Sequence, residues 1–181
     1  MNRRVWISCI FALVTAALTG EVVLRADETL RIVPIVSDRT VVVSFELADA
    51  YSDEIRQVIS SGLRTTFTYD IELRMVVPGW VDRTIATSTV STSDQYDNLT
   101  RRHALTRLVD GRVHDAVVSE DDAAVKKWLT TLTRVPLCDT WKLDPTRDYY
   151  VRISARAKPR GASIIGWANA VTGQAKFTFI P

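Results

Sequence analysis

Two long runs of alternating apolar and polar residues, Thr40–Asp49 and Leu63–Val77, constrain this chain more than any other feature. A period of two places the apolar side chains on one face of a strand. A shift of one residue would turn charged side chains into the core, so we predict two strands of fixed register. The apolar positions are Val41, Val43, Phe45 and Leu47 in the first run, and Phe67, Tyr69, Ile71, Leu73 and Met75 in the second.

A short helix is predicted between these strands, because the apolar residues there recur at helical spacing. Ser52 or Asp49 is suited to cap its start, and Gly62 to end it in the left-handed conformation. We expect the helix to pack on the apolar face of the Leu63–Val77 strand. The stripe consists of Tyr51, Ile55, Val58 and Ile59.

A second helix is predicted from Ser119 to a stop at Pro136, with Val125, Trp128, Leu129 and Leu132 as its apolar stripe. Ser93–Arg102 is either a polar connection or a bulged strand, and Leu73 is expected opposite Ile85. The remaining predicted strands are Thr29–Val36, Trp80–Thr92, a hairpin over His103–Val118 around Asp110-Gly111, Asp144–Lys158 and Lys176–Pro181, with a turn at Pro159-Arg160-Gly161 and an apolar piece at Ile164–Trp167.

These elements predict an α+β fold in which two helices pack on one antiparallel, meandering sheet. With 181 residues, 46% of them hydrophobic and 24% charged, the chain is long enough for one domain with a substantial core. We place that domain at residues 27–181, after an N-terminal segment at residues 1–26.

The N-terminal segment has the pattern of a secretory signal. Asn2-Arg3-Arg4 is basic, and the apolar run Val5–Leu18 that follows is shorter than the roughly 20 residues of a membrane span. Cleavage is expected before about Ala26, and an uncleaved membrane anchor is the alternative. Either outcome predicts a periplasmic or otherwise extracytoplasmic domain that meets the membrane only through this segment.

Charge and cysteine content exclude several classes of function. A net charge of +2 with scattered basic residues does not favour nucleic acid as a partner. Once the signal is removed, Cys138 alone remains, so neither an internal disulfide nor a cysteine zinc cluster can form. We expect Cys138 to be buried and the protein to be a monomer.

No catalytic pattern emerges from the remaining polar residues. Gly161 and Gly166 lack the Lys-Ser/Thr of a phosphate loop, and no serine lies between glycines at nucleophile-elbow spacing. His114 is expected to pair with Arg107, which leaves His103 about 13 Å away at about 3.4 Å per residue.

We therefore predict surface or rim histidines and expect no enzyme activity and no catalytic, cofactor-binding or metal-binding residue. Asp94, Asp97, Asp121 and Asp122 are assigned to turns and helix caps. A partner surface is predicted at Trp80, Asp94, Tyr96, Asp97 and Trp141.

Several short runs follow one another along the chain: Ser60-Ser61-Gly62-Leu63 before Phe67-Thr68-Tyr69-Asp70-Ile71-Glu72-Leu73-Arg74, then Tyr96-Asp97-Asn98-Leu99-Thr100-Arg101, the second helix, Pro136-Leu137 and Tyr149-Tyr150-Val151-Arg152-Ile153. As a series they resemble a bacterial family known as domain-of-unknown-function family 4390. The resemblance implies an exported or membrane-anchored bacterial envelope protein with no established catalytic residue, accessory to a sensor histidine kinase system. Family members often carry an aromatic-rich turn after the long strand, and here only Trp80 represents it.

Three functions follow as hypotheses. The first is a non-catalytic binding or adaptor domain of the bacterial envelope. The second is a carrier of an apolar small ligand or lipid, held between the first helix and a curved sheet. The third is an enzyme, which would require that Asp94, Asp97 and His103 converge in one cleft.

Overall fold

A computed structural model describes residues 30–159 and 170–180. The predicted signal and the apolar piece Ile164–Trp167 lie outside these residues. Among the residues described, neither helix has the length and apolarity that a membrane span requires. The elements are β1 (Leu30–Ser37), β2 (Thr40–Leu47), α1 (Asp53–Ser60), β3 (Thr65–Met75), β4 (Arg83–Asp97), β5 (Arg102–Val109), β6 (Arg112–Ser119), α2 (Asp122–Thr130), β7 (Thr131–Asp139), a short 3-10 helix (Thr140–Lys142), β8 (Asp148–Pro159) and β9 (Val171–Thr178).

The strands form two antiparallel sheets, of three strands in the order β1-β2-β7 and of six in the order β6-β5-β4-β3-β8-β9. Strands make up 61% of the described structure and helices 14%. The predicted α+β class, with two helices on a single sheet, is therefore wrong. The protein is a mostly antiparallel β structure of two sheets, to which two short helices are added.

The second sheet arises where the second helix was predicted to continue. The helix α2 ends at Thr130, and Thr131–Asp139 forms strand β7 instead. The segment contains Thr131, Thr133 and Val135, and such β-branched residues favour strands. Pro136 lies inside β7, opposite Val42 of β2. The proline is tolerated because β7 is an edge strand of the small sheet.

One hydrophobic core joins all the layers. The small sheet packs on the inner face of the large sheet, and the rings of Phe45 and Tyr69 lie 5.0 Å apart between their centroids across this contact. The helices cover other parts of the same inner face, where Ile55 and Ile59 of α1 and Leu129 of α2 are buried. The large sheet is thus covered on one side by the small sheet and the two helices together.

The local signals around α1 are confirmed. Ser52 caps the helix by accepting a hydrogen bond from the backbone N–H of Ile55. Gly62 follows the helix with φ of +83°, a conformation that glycine adopts without a side-chain clash. The hairpin turn at Asp110-Gly111 is also confirmed.

Two predicted strand registers and one predicted strand end differ from the structure. Leu73 lies opposite Ala86 rather than Ile85, because a bulge shifts β4 by one residue. Arg107 pairs with Asp115 rather than His114, because a second bulge interrupts β6. Strand β4 continues without a break to Asp97, so the strand alternative for this segment was right as far as Asp97, but the strand has no bulge there.

The first and last strands meet where the two sheets approach each other. Gly173 of β9 faces Leu30 and Ile32 of β1, and a Cβ atom built on this glycine would lie 3.1 Å from Leu30 Cδ2. Leu30 is itself buried. Strands β1 and β9 are therefore packed in contact, and a larger residue at position 173 would have to displace the side chains of Leu30 and Ile32.

Candidate functional site

A buried Asp–His pair lies on the inner face of the large sheet. Asp94 of β4 and His103 of β5 are diagonal neighbours, since Asp94 lies opposite Leu105 and His103 opposite Tyr96. His103 Nδ1 is 2.8 Å from Asp94 Oδ2, and the Asp94 side chain has no exposed surface. The surface alternative for His103 is therefore wrong, whereas the rim alternative fits, because this nearly buried residue lines a cleft.

A cleft of about 250 Å³ opens in front of this pair. Tyr51 donates a hydrogen bond to Asp122 Oδ1 over 2.6 Å, and Arg56 Nε lies 3.5 Å from the other oxygen of the same carboxylate. The Tyr96 ring packs on the imidazole of His103, with 4.6 Å between ring centroids. The lining residues are Tyr51, Arg56, Ile59, Ser60, Tyr96, His103 and Asp122.

The electrostatics of the cleft follow from burial. Burial raises the pKa of Asp94 above its ordinary value, and the hydrogen bond with His103 opposes that rise. Burial and the hydrogen bond to Asp122 also raise the pKa of Tyr51. Asp94 Oδ1 has no hydrogen-bond partner among the described atoms. His103 is the residue that both binds this buried carboxylate and lines the cleft.

The cleft does not bring Asp94, Asp97 and His103 together. Asp97 lies outside it and accepts hydrogen bonds from the backbone N–H groups of Leu99 and Thr100 in the β4–β5 turn. The Ser60 hydroxyl donates to a backbone carbonyl of its own helix rather than to His103. In the described part of the chain, no group of three His, Cys, Asp or Glu residues is placed to hold a metal ion.

The other carboxylates and histidine have local roles or lie apart. Asp121 caps α2 by accepting a hydrogen bond from the backbone N–H of Ala123, as predicted for a cap. Asp122 begins that helix but binds Tyr51 of the distant α1 region, a contact that the sequence did not indicate. His114 lies exposed at the bulge of β6.

A larger groove, the Trp141 groove, lies at the opposite end of β3. It has a volume of about 550 Å³ and is open to solvent along the side chain of Trp141, which is 77% exposed. Trp80, in the connection between β3 and β4, is 82% exposed. The groove is lined by Met75, Arg83, Thr84, Ile85, Trp141, Lys142, Asp144, Arg147 and Tyr149.

The predicted partner residues fall at two separate ends of β3. Trp80 follows the Met75 end of this strand, whereas Asp94 pairs with Thr65 at its start. The ten steps between these ends correspond to about 34 Å at about 3.4 Å per residue. Tyr96 and Asp97 belong to the same end as Asp94, and Trp141 belongs to the Met75 end. The structure therefore gives two distant sites rather than one surface.

Comparison with known proteins gives the family of the chain. A search of the curated proteins and a search of the solved structures found no match. A family model matches residues 28–160, which is more than half of the chain and includes both β3 and the Asp94–His103 pair. The resemblance read from the sequence is thereby confirmed. The chain belongs to the family described as Domain of unknown function (DUF4390).

Proposed function

We propose that this domain is a non-catalytic binding domain of the bacterial envelope, which docks a protein partner in the Trp141 groove. The observation that carries the proposal is the exposure of Trp141, at 77%, beside a groove of about 550 Å³. Tryptophan and arginine are enriched among the residues that dominate binding energy at protein interfaces. A partner protein that enters the groove can bury this large exposed aromatic side chain and exclude water from it.

Charge in the groove indicates the chemistry of the partner. Arg147 is paired with Asp144 at 4.0 Å. In the described structure, neither Arg83 nor Lys142 takes part in an ion pair, and the Lys142 ammonium lies 5.3 Å from the centre of the Trp141 ring. The groove therefore has two cations without a counter-ion. We infer that the partner segment is acidic and carries an apolar residue that contacts Trp141.

The proposed location of the protein rests on its N-terminal segment. The basic start and apolar run Val5–Leu18 support export, so we propose that the domain works outside the cytoplasmic membrane. The family resemblance supports an accessory role beside a sensor histidine kinase, and we propose that the acidic segment belongs to an extracytoplasmic part of such a system.

The carrier hypothesis has weaker support. Ile55 and Ile59 of α1 are 2% and 1% exposed, and they pack directly into the core that includes Phe67. An apolar ligand between this helix and the sheet would have to displace those side chains. A filled interior of this kind favours a surface-binding protein over a carrier.

Site-specific photo-crosslinking in the living bacterium tests the docking proposal. A photoreactive amino acid at the exposed groove residue Thr84 is expected to form an adduct with an envelope protein, and Trp141→Ala should lower its yield about tenfold. The same probe at Leu99, which is 94% exposed but lies at the far end of β3, is the matched control. Equal yields with and without Trp141, or the same adduct from Leu99, would overturn the proposal.

The location is tested separately by mass. The exported protein should lack the residues before about Ala26 if the signal is cleaved. A full-length, membrane-bound species would establish Val5–Leu18 as a retained anchor and would still place the domain outside the membrane. Recovery of the intact chain from the cytoplasm would contradict the proposed location.

A further inference from the structure

Strand β6 is the exposed edge of the large sheet. Among the described strands it pairs with β5 alone, so the backbone N–H and C=O groups on its other side have no strand partner. Seven of its eight residues are exposed, and Val113 and Val118 are 67% and 63% exposed. An edge strand with free backbone groups and exposed valines is a template for pairing with another strand.

The flat part of this edge is confined to its second half. The bulge that shifts the register between Arg107 and Leu108 leaves His114 unpaired, and bulges of this kind protect sheet edges from pairing. After the bulge, the pairing with β5 is regular from Asp115 to Ser119. The centre of this stretch is Ala116-Val117-Val118, which carries no charge. Pairing is therefore open along Asp115–Ser119 and hindered before it.

We propose that this edge joins two copies of the chain, which pair antiparallel through β6 about a two-fold axis at Val117. In that register Val117 lies opposite its counterpart in the second copy, Ala116 lies opposite Val118, and Asp115 lies opposite Ser119. Opposite residues share a face of the sheet, so this arrangement keeps apolar side chains together. A two-fold axis at Asp115 would instead place two carboxylates against each other.

Charge complementarity is the reason to choose a second copy over an unrelated peptide. The strand begins with Arg112 and runs into the acidic turn at residues 120–121, where Glu120 is already bound to Arg102 over 2.8 Å; Arg112 and Asp121 take part in no ion pair in the described structure. Antiparallel pairing about a two-fold axis brings the basic start of each copy toward the acidic turn of the other. The favourable contact is therefore made twice in a closed, isologous dimer.

The dimer is independent of the proposed partner site. The Trp141 groove lies at the Met75 end of β3, where residues of β3, β4 and β8 line it, whereas β6 is an edge strand of the same sheet that contributes no lining residue. Both surfaces are open at once in the dimer, which then presents two grooves. The expectation of a monomer rested on burial of Cys138, which excludes only coupling through a disulfide.

Cysteine cross-linking of the exported protein tests the two-fold axis. The variant Val117→Cys places two thiols on directly opposite residues, where the Cα atoms of an antiparallel pair are about 4.5–5.5 Å apart and a disulfide can form. Mild oxidation should yield a covalent dimer. Val113→Cys, on the same strand before the bulge, should stay monomeric on a non-reducing gel, since its counterpart is far away. Equal cross-linking of the two variants would overturn the proposal.

Sedimentation of the unmodified protein gives the second measurement. Wild type and Val113→Lys should sediment as dimers at micromolar concentration, and added salt should weaken the dimer. Val117→Lys sets two ammonium groups opposite each other and should sediment as a monomer with the circular dichroism of the wild type. A monomeric wild type up to 0.1 mM, as an order-of-magnitude limit for a specific dimer, would refute the inference.

Discussion

His103 Nδ1 lies 2.8 Å from Asp94 Oδ2, and this diagonal pair joins β4 to β5 inside the core. Removing one partner leaves the other polar group buried without compensation. We expect Asp94→Ala to lower the free energy of unfolding by about 3 kcal/mol, measured by urea denaturation. Asp97→Ala, three residues away in an exposed turn, is the control and should cost less. Equal losses of unfolding free energy in the two variants would show that the Asp94–His103 pair does not stabilise the contact between β4 and β5.

The pH dependence of stability should report on the same carboxyl group. Burial raises the pKa of Asp94, so the folded chain holds this proton more tightly than the unfolded chain. The resulting stabilisation is present below the ordinary pKa, about 4, and is lost as pH rises through the raised pKa. Wild type should therefore lose stability relative to Asp94→Asn when pH is increased from about 4.

Asp97 provides a control of opposite sign for that experiment. Hydrogen bonds from the backbone N–H groups of Leu99 and Thr100 lower the pKa of Asp97. Its contribution is present above the ordinary pKa and is lost as pH falls through the lowered pKa. Wild type relative to Asp97→Asn should thus lose stability toward acid. Slopes of the same sign for the two pairs of proteins would contradict the assignment of Asp94.

The end of α2 should depend on two side-chain donors. Tyr69 and Thr92 donate hydrogen bonds to the carbonyl of Leu129, over 2.6 and 3.1 Å. Each of Tyr69→Phe and Thr92→Val should cost about 1 kcal/mol. The double variant leaves this buried carbonyl without either donor, so its loss should exceed the sum of the single losses. Simple additivity in thermal or urea unfolding would show that the two bonds act independently.

The thiol of Cys138 should react slowly in the folded protein. The residue is 8% exposed, and burial raises the pKa of its thiol, so little thiolate is present at neutral pH. Labelling with a thiol reagent at pH 7.5, a condition set about one unit below the ordinary thiol pKa, should be slow, and it should become fast in urea. Rapid labelling without urea would mean that the segment β7 opens locally.

Local signals predicted β3 and α1 because each signal there points to one structure. The alternation from Phe67 to Met75 excludes a helix, and the cap at Ser52 with the left-handed Gly62 fixes both ends of α1. The predicted end of α2 was wrong because the local signals there fit two structures. Leu129 and Leu132 fit a helical stripe, but the structure buries Leu132 from a strand. Only pairing with the distant β2 decides between these conformations, and local pattern does not contain that information.

The sequence did not indicate the Asp94–His103 pair, because the residues of β4 that surround it on the inner face of the sheet are not apolar. Along β4 the inward residues near the pair are Thr92, Asp94 and Tyr96, which read as a polar connection. Had β4 been extended to Asp97, the turn that joins it to β5 would have placed His103 opposite Tyr96 and beside Asp94 on one face. Only the relative placement of β4 and β5 brings the two residues together. That placement depends on where β4 ends, and strand ends are the feature that sequence patterns predict least well.

The contact of Gly173 with Leu30 also sets the order in which the molecule can be completed. Among the described elements β1 is synthesised first and β9 last, so Leu30 cannot make this contact until the chain has been synthesised as far as β9. A ribosome therefore releases a chain in which the contact between β1 and β9 is missing until residues 171–178 have emerged. The packing around Leu30 stays incomplete during that interval.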